Sequence, residues 1–359
     1  MTGTVVIVGG GYGGVAVAKE LDEVADVVLV EPRDAFVHNA AALRGLVDPQ
    51  WTDRLFFPYE KLLARGRVVR DRAASVDGTT VTLGSGERIE ADYVVLATGS
   101  GYPFPAKFEI EDSTAAKAAV RAAHGELAGA GRVLLLGAGP VGLELAGEIK
   151  HAWPDKAVTL VDPAGELMGA FPDEFRDELR RQLAALGIEV LLGTGLAGDP
   201  PSRPGTAEAF TVTTADGAEI SADLWFRCFG VAPQTGYLNG ELAEARRGDG
   251  FVEVTPELRV AGQERVFALG DITAVPEAKT AANAGRHAEV VAANVRALLR
   301  GAPADGTYAP AGPMIAMPLG PEAGLSYTPE MGVLDAETTA QIKGRDMMIE
   351  EYLKTFNLV

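Results

Sequence analysis

Val5-Val6-Ile7-Val8-Gly9-Gly10-Gly11-Tyr12-Gly13-Gly14 is the stretch that decides the fold. Its continuous apolar run predicts a strand buried on both faces, as in a parallel sheet. The glycines behind it fit G-x-G-x-x-G, with Gly9, Gly11 and Gly14 in the three places and Ala18 as a small residue four positions on. The first glycine permits a tight turn and the second lets the backbone approach a pyrophosphate. The third lets the following helix pack close to the strand, so that its N-terminal N–H groups meet the phosphates. We read a helix over 15–24 and a second strand over 27–30. Glu31 then falls 22 positions after Gly9 (31 − 9), where a carboxylate can accept hydrogen bonds from ribose hydroxyls. A glycine-rich turn without a ligand is the alternative. The strand before it and the acid after it favour a dinucleotide site.

The same order of events begins again at Val133. A strand over 133–136 leads to Gly137, Gly139 and Gly142, with Ala146 four positions further, then a helix, then a strand over 158–161 ending beside Asp162. The glycine motifs are offset by 128 positions (137 − 9). The two closing strands, Ala91-Asp92-Tyr93-Val94-Val95-Leu96-Ala97-Thr98-Gly99 and Ala222-Asp223-Leu224-Trp225-Phe226-Arg227-Cys228-Phe229-Gly230, are offset by 131 (223 − 92). Near-equal offsets at both ends point to duplication of a whole nucleotide-binding unit. Between glycine motif and closing strand, both copies carry turn signals, Asp77-Gly78 and Asp216-Gly217, which predict antiparallel meanders over 68–83 and 210–220. Two such sites in one chain suggest one tightly held FAD and one exchangeable nicotinamide nucleotide. No cation follows Asp162 in Pro163-Ala164-Gly165-Glu166. An acid there favours NADH, with its free 2′-hydroxyl, while NADPH stays open as a second donor.

A third strand, Val266-Phe267-Ala268-Leu269, runs into Gly270-Asp271 and a helical stretch over about 278–300. Asp271 could merely cap that helix. Placed after two nucleotide units, the motif looks like a flavin ribityl site, the strand returning to the first sheet and the helix dipole facing the flavin. The fold class that follows is α/β: two Rossmann-like dinucleotide-binding domains and a small C-terminal α+β region. The FAD domain takes 1–105 with 251–300, the NAD(P)H domain 106–250 and the C-terminal region 301–359. The chain ends in a predicted helix over 346–358. Its apolar stripe Met348, Ile349, Tyr352, Leu353 and Phe356 docks on the body of the chain, forms a homodimer seam or faces a quinone entrance at a membrane.

Composition narrows the function. A net charge of −18 over 359 residues excludes a phosphate-tracking nucleic-acid surface. One cysteine, Cys228, excludes a disulfide framework and a CxxC redox pair. It lies in an apolar strand and reads as core. No apolar run reaches the ~20 residues of a membrane span. The chain begins directly in a strand, so the expectation is a cytoplasmic protein without a leader, with peripheral contact to the inner face of the membrane left open. His124, His151 and His287 show no ligand spacing and read as surface or helix residues; no metal is expected.

These motifs resemble the pyridine-nucleotide flavoprotein oxidoreductases over residues 4–300. Phe36-Val37-His38-Asn39-Ala40-Ala41-Ala42-Leu43-Arg44, Thr98-Gly99-Ser100, Pro103-Phe104-Pro105-Ala106-Lys107-Phe108, Glu148-Ile149-Lys150 and Trp153-Pro154-Asp155-Lys156 are similar to the apoptosis-inducing-factor-like branch, within it to ferroptosis-suppressor-type NAD(P)H:quinone oxidoreductases. The resemblance implies non-covalent FAD, oxidation of NAD(P)H and a quinone acceptor. It implies that Arg44, Thr98 and Gly99 contribute to the cofactor site beside Gly270 and Asp271, and that His38 and Asn39 line the flavin. Glu144 would stand near the nicotinamide and Lys107 near the flavin, where an ammonium can stabilise charge or deliver a proton. Their alternatives are an ordinary helix-face carboxylate and an exposed hinge lysine. Met1-Thr2-Gly3 lacks the glycine at position 2 that N-myristoylation requires. Besides quinone reduction, two functions remain: reductase of a small redox protein, and a nucleotide-responsive flavoprotein sensor.

Overall fold

A computed structural model describes residues 3–310 and 312–359. Strand Thr4–Val8 lies at the centre of a five-stranded parallel sheet, between Tyr93–Leu96 and Asp26–Val30, with Val266–Ala268 and Arg67–Val69 at the edges. The strand after the second unit thus returns to the first sheet, Val266 pairing with Val94. The register sorts side chains by period two. Val5 and Ile7 pack under helices Tyr12–Leu21 and Ala281–Leu299 with Val17, Leu21 and Val291, whereas Val6 and Val8 pack with Val76, Val81 and Leu83 of the other layer. One continuous apolar strand therefore serves two cores.

The second unit repeats the arrangement in four parallel strands, ordered Ile188–Leu192, Ala157–Asp162, Arg132–Leu136, Leu224–Arg227. Val133 and Leu135 pack with Leu143 and Leu145 of helix Pro140–Ala152, and Leu134 packs with Val212 and Ile220 of the opposite layer.

Several boundaries differ from the sequence reading. The first helix starts three residues earlier, at Tyr12, because the glycine loop is continuous with its first turn. It ends at Leu21, and the Asp22 carboxylate at its C-cap accepts the N–H groups of Ala64 and Gly66 at 2.6 Å each. Arg67–Val69 belongs to the parallel sheet, and the first meander begins only at Ala73–Asp77, continuing through Thr80–Leu83 and Arg88–Glu90. In the second copy the corresponding layer is a two-stranded hairpin, Phe210–Thr213 with Glu219–Ala222.

The C-terminal region carries the antiparallel strands Ile315–Pro318, Gly324–Thr328 and Gly332–Leu334. Met317, Leu319 and Leu325 join the core of the second unit. The expected terminal helix is shorter, Ile349–Thr355, because Met347 and Met348 take left-handed φ values of 51° and 61° and break it from the turn before. Its stripe docks on the first unit: Ile349 and Phe356 are buried, and Phe36 meets Tyr352 and Phe356 at 5.4 and 5.1 Å. Burying one such aromatic stabilises by about 1.5–3 kcal/mol. The tail thus runs from the second unit to the first. Among the described residues no helix is long and apolar enough to cross a membrane.

Candidate functional site

The duplication extends to individual hydrogen bonds. Gly9 and Gly137 take φ of 106° and 109°, conformations that a side chain would strain. A Cβ on Gly14 would strike the carbonyl of Gly9, and one on Gly142 that of Gly137. The residue after each first glycine donates its N–H to the distant acid: Gly10 to Glu31 Oε2 and Ala138 to Asp162 Oδ2, both at 2.7 Å. Each acid thereby ties its second strand to the loop. Glu31 also accepts from Arg33 N, and Asp162 Oδ1 from Ala164 N.

At Gly11 and Gly139, by contrast, an added Cβ would meet nothing within 4 Å. These two are also the N-caps of their helices, and neither has a side-chain cap. Open space against an uncapped helix N-terminus suits a pyrophosphate. In the first unit, Asn39 Oδ1 is buried without a hydrogen-bond partner among the described residues, as a polar atom awaiting a ligand would be. The residues present fit a dinucleotide at both loops.

Behind the first loop, the chain crosses between the units. Ser100 and Gly101 pair antiparallel with Pro233 and Ala232. Thr98 Oγ1 donates to Gln234 O at 2.6 Å, and Gly99, at φ 66°, accepts from Gln234 N at 2.9 Å. Thr98 and Gly99 therefore hold the crossing as well as ending the strand. Three other side chains converge beside it. Asp271 Oδ2 accepts from Ser100 Oγ at 2.6 Å and from Lys107 Nζ at 3.0 Å, and Lys107 also donates to Ser100 O and Oγ. Lys107 and Asp271, read separately in the sequence, form one partly exposed ion pair.

Glu144, in the helix after the second glycine loop, pairs with Lys343 at 2.8 Å. Burial raises its pKa, and the Lys343 ammonium opposes that shift. One turn on, Glu148 meets Arg44, whose Nε and Nη2 donate at 2.9 and 2.7 Å, with both side chains at most 5% exposed. Arg44 Nη1 donates to Gly344 O at 2.6 Å. Arg44 was expected at the cofactor. The structure commits its guanidinium to Glu148 and the C-terminal segment, joining first unit, second unit and tail at one buried point. Lys343 was missed: it lies 199 positions from Glu144, outside any motif.

His38 accepts from Tyr12 OH at Nδ1 (3.0 Å) and donates from Nε2 to Met347 O (2.5 Å). Burial pushes its pKa down to about 4, so near neutral pH the ring is uncharged and both nitrogens are engaged. A neutral, buried imidazole is a poor proton donor. Burial pushes the Cys228 thiol up to about 12, which keeps it an inert core group.

The pyridine nucleotide-disulphide oxidoreductase family matches residues 3–288. The chain belongs to that family. It is 29% identical to apoptosis-inducing factor homolog B of Dictyostelium discoideum, over 98% of this chain and 96% of that one. It is 32% and 31% identical to ferroptosis suppressor protein 1 of Taeniopygia guttata and of Homo sapiens, each over 81% of this chain and 79% of theirs. Among solved structures, the sulfide:quinone oxidoreductase of Aquifex aeolicus covers 99% of this chain and 92% of its own, with a TM-score of 0.79 at 20% identity. The NADH oxidase of Lactobacillus brevis bound to NADH covers 82% and 69%, with a TM-score of 0.63 at 24% identity. As a pyridine nucleotide-disulphide oxidoreductase family member, the protein is an FAD-dependent oxidoreductase of NAD(P)H. The disulphide chemistry in the family name does not carry over, because the chain has a single cysteine.

Proposed function

We propose that the protein takes hydride from NADH onto FAD and passes the electrons to a quinone. The observation that carries this reading is the lone, inert Cys228: without a dithiol relay, electrons must leave the flavin directly for an external acceptor. The resemblance to ferroptosis-suppressor-type enzymes supports a quinone as that acceptor. In this reading 1–105 with 251–300 hold FAD, through Gly9, Gly11, Gly14, Glu31 and the Gly270–Asp271 turn. Residues 106–250 hold the nicotinamide nucleotide, through Gly137, Gly139, Gly142 and Asp162. FAD supplies the two-electron chemistry. The chain's own residues orient the nucleotides, hold Glu144 and Lys107 at the site and move a proton from the Lys107 ammonium. Stopped-flow mixing of the NADH-reduced protein with short-chain ubiquinone and menaquinone analogues, a ferredoxin and oxygen tests it. Fast reoxidation by quinones is expected, and indifference to every quinone offered would reject the acceptor.

NADH should be preferred to NADPH. Asp162 is fixed by two backbone N–H groups at 2.7 and 2.8 Å, where it would repel a 2′-phosphate. Arg176, which reaches the segment after Asp162 through Glu166, is already paired with Glu166 and Asp173. Asp162→Ala should narrow the ratio of kcat/KM values by about tenfold. Equal kcat/KM for the two nucleotides in the unaltered protein would contradict this.

Glu144→Ala should keep FAD yet slow reduction by NADH by roughly tenfold, since the change leaves Lys343 without its buried partner beside the nucleotide. The single-turnover rate of flavin bleaching reads this directly. An unaltered rate would make Glu144 a structural residue.

A further inference from the structure

The turn Gly270–Ile272 presents Asp271 to Ser100 and Lys107, and its backbone is held from the opposite side. Gly270, at φ 68°, donates its N–H to Nδ1 of His287 at 3.0 Å. His287, which the sequence presents as a surface or helix residue, is 1% exposed in the second turn of Ala281–Leu299. Its Nε2 is 2.9 Å from Glu277 Oε1, and that carboxylate accepts from Tyr308 OH at 2.6 Å through its other oxygen. Tyr308 also stands edge-on to the imidazole, ring centres 4.2 Å apart.

The tautomer follows from these contacts. Nδ1 receives the Gly270 N–H in its lone pair, so it carries no proton, and the ring proton sits on Nε2 facing Glu277. Burial lowers the His287 pKa, against the pull of Glu277, in keeping with a neutral ring. Burying a histidine, a carboxylate and a phenol costs desolvation that an apolar core would avoid. What the set supplies in return is an acceptor of fixed direction for one backbone amide.

We infer that His287 is a positioning residue for the flavin: with Nδ1 accepting the Gly270 amide and Nε2 standing beside Glu277, it keeps the Gly270–Asp271 turn in the conformation that receives FAD. The inference rests on the assignment of that turn to the flavin. Without the acceptor, the Gly270 N–H turns to water or another carbonyl. Only a fraction of molecules then keeps the turn, and FAD affinity falls by that fraction.

Two near-isosteric variants separate the halves of the contact. His287→Asn keeps an acceptor near the place of Nδ1, and His287→Gln keeps a donor near the place of Nε2. Each variant is stripped of FAD and retitrated by quenching of flavin fluorescence, and the apoproteins are melted in parallel. His287→Gln should bind FAD roughly tenfold more weakly, and His287→Asn within about threefold of wild type, although both apoproteins melt lower. Equal Kd values for the two variants, or an unaltered Kd in His287→Gln, would overturn the positioning role. Asp271→Ala is titrated alongside. Wild-type binding there removes the turn from the flavin and the inference with it. Lost binding there with none in His287→Gln removes only the inference. If neither His287 variant folds, Tyr308→Phe decides: a Kd raised about threefold supports the network and an unchanged one overturns it.

Discussion

Asp271→Ala is expected to purify largely without FAD. In the native protein the Asp271 carboxylate is the shared acceptor for Ser100 Oγ and Lys107 Nζ, both on Oδ2, at the turn that leads toward the long helix Ala281–Leu299. In the proposed reading the same carboxylate would accept from a ribityl hydroxyl of FAD. Alanine would remove that acceptor and with it one hydrogen bond each from Ser100 Oγ and from the Lys107 ammonium, which keeps Ser100 O and Oγ. Three hydrogen bonds at about 1 kcal/mol each correspond to a loss of affinity on the order of 100-fold. The ratio of flavin to protein absorbance after purification measures it. Full occupancy would show that Gly270–Asp271 does not face the flavin. Glu144→Ala is the control: its carboxylate belongs to the second unit, and its loss should leave the flavin content intact.

Lys107→Ala should retain FAD and accept hydride from NADH at the normal rate, then give up its electrons to a quinone about 100-fold more slowly. Reduction of a quinone by two electrons needs protons as well as charge stabilisation. Lys107 is the cation that the structure places beside Asp271, with its side chain 29% exposed and thus reachable from solvent. The oxidative half-reaction of the NADH-reduced variant, followed with a short-chain ubiquinone, isolates the step. Wild-type reoxidation would take Lys107 out of the mechanism. Its remaining role would be the bond to Ser100 that braces the crossing between the units.

The local geometry of the glycine loops is legible in the sequence. The glycine loops are set by contacts between near neighbours, such as Gly14 against the Gly9 carbonyl, so their spacing carries the geometry. The acids at the strand ends were legible for the same reason, since the parallel register of Val8 with Val30 brings Glu31 to the loop. Meander boundaries were less legible: Arg67–Val69 has the composition of either a sheet edge or a hairpin arm, and only its pairing with Val28–Val30 decides.

What the amino-acid order determined alone was the pair of nucleotide folds, their duplication and the exclusion of dithiol chemistry. Each of these depends on backbone sterics, periodic burial or a residue count. Only the tertiary structure decided who partners whom among the polar and charged groups. Arg44 with Glu148, Lys343 with Glu144 and His287 with the Gly270 amide join positions 104, 199 and 17 apart. A carboxylate in a helix looks the same in sequence whether it faces water, a nucleotide or a buried lysine. The difference is made by desolvation and by the cation that the fold brings to it, and both come into being when the C-terminal segment closes over the second unit.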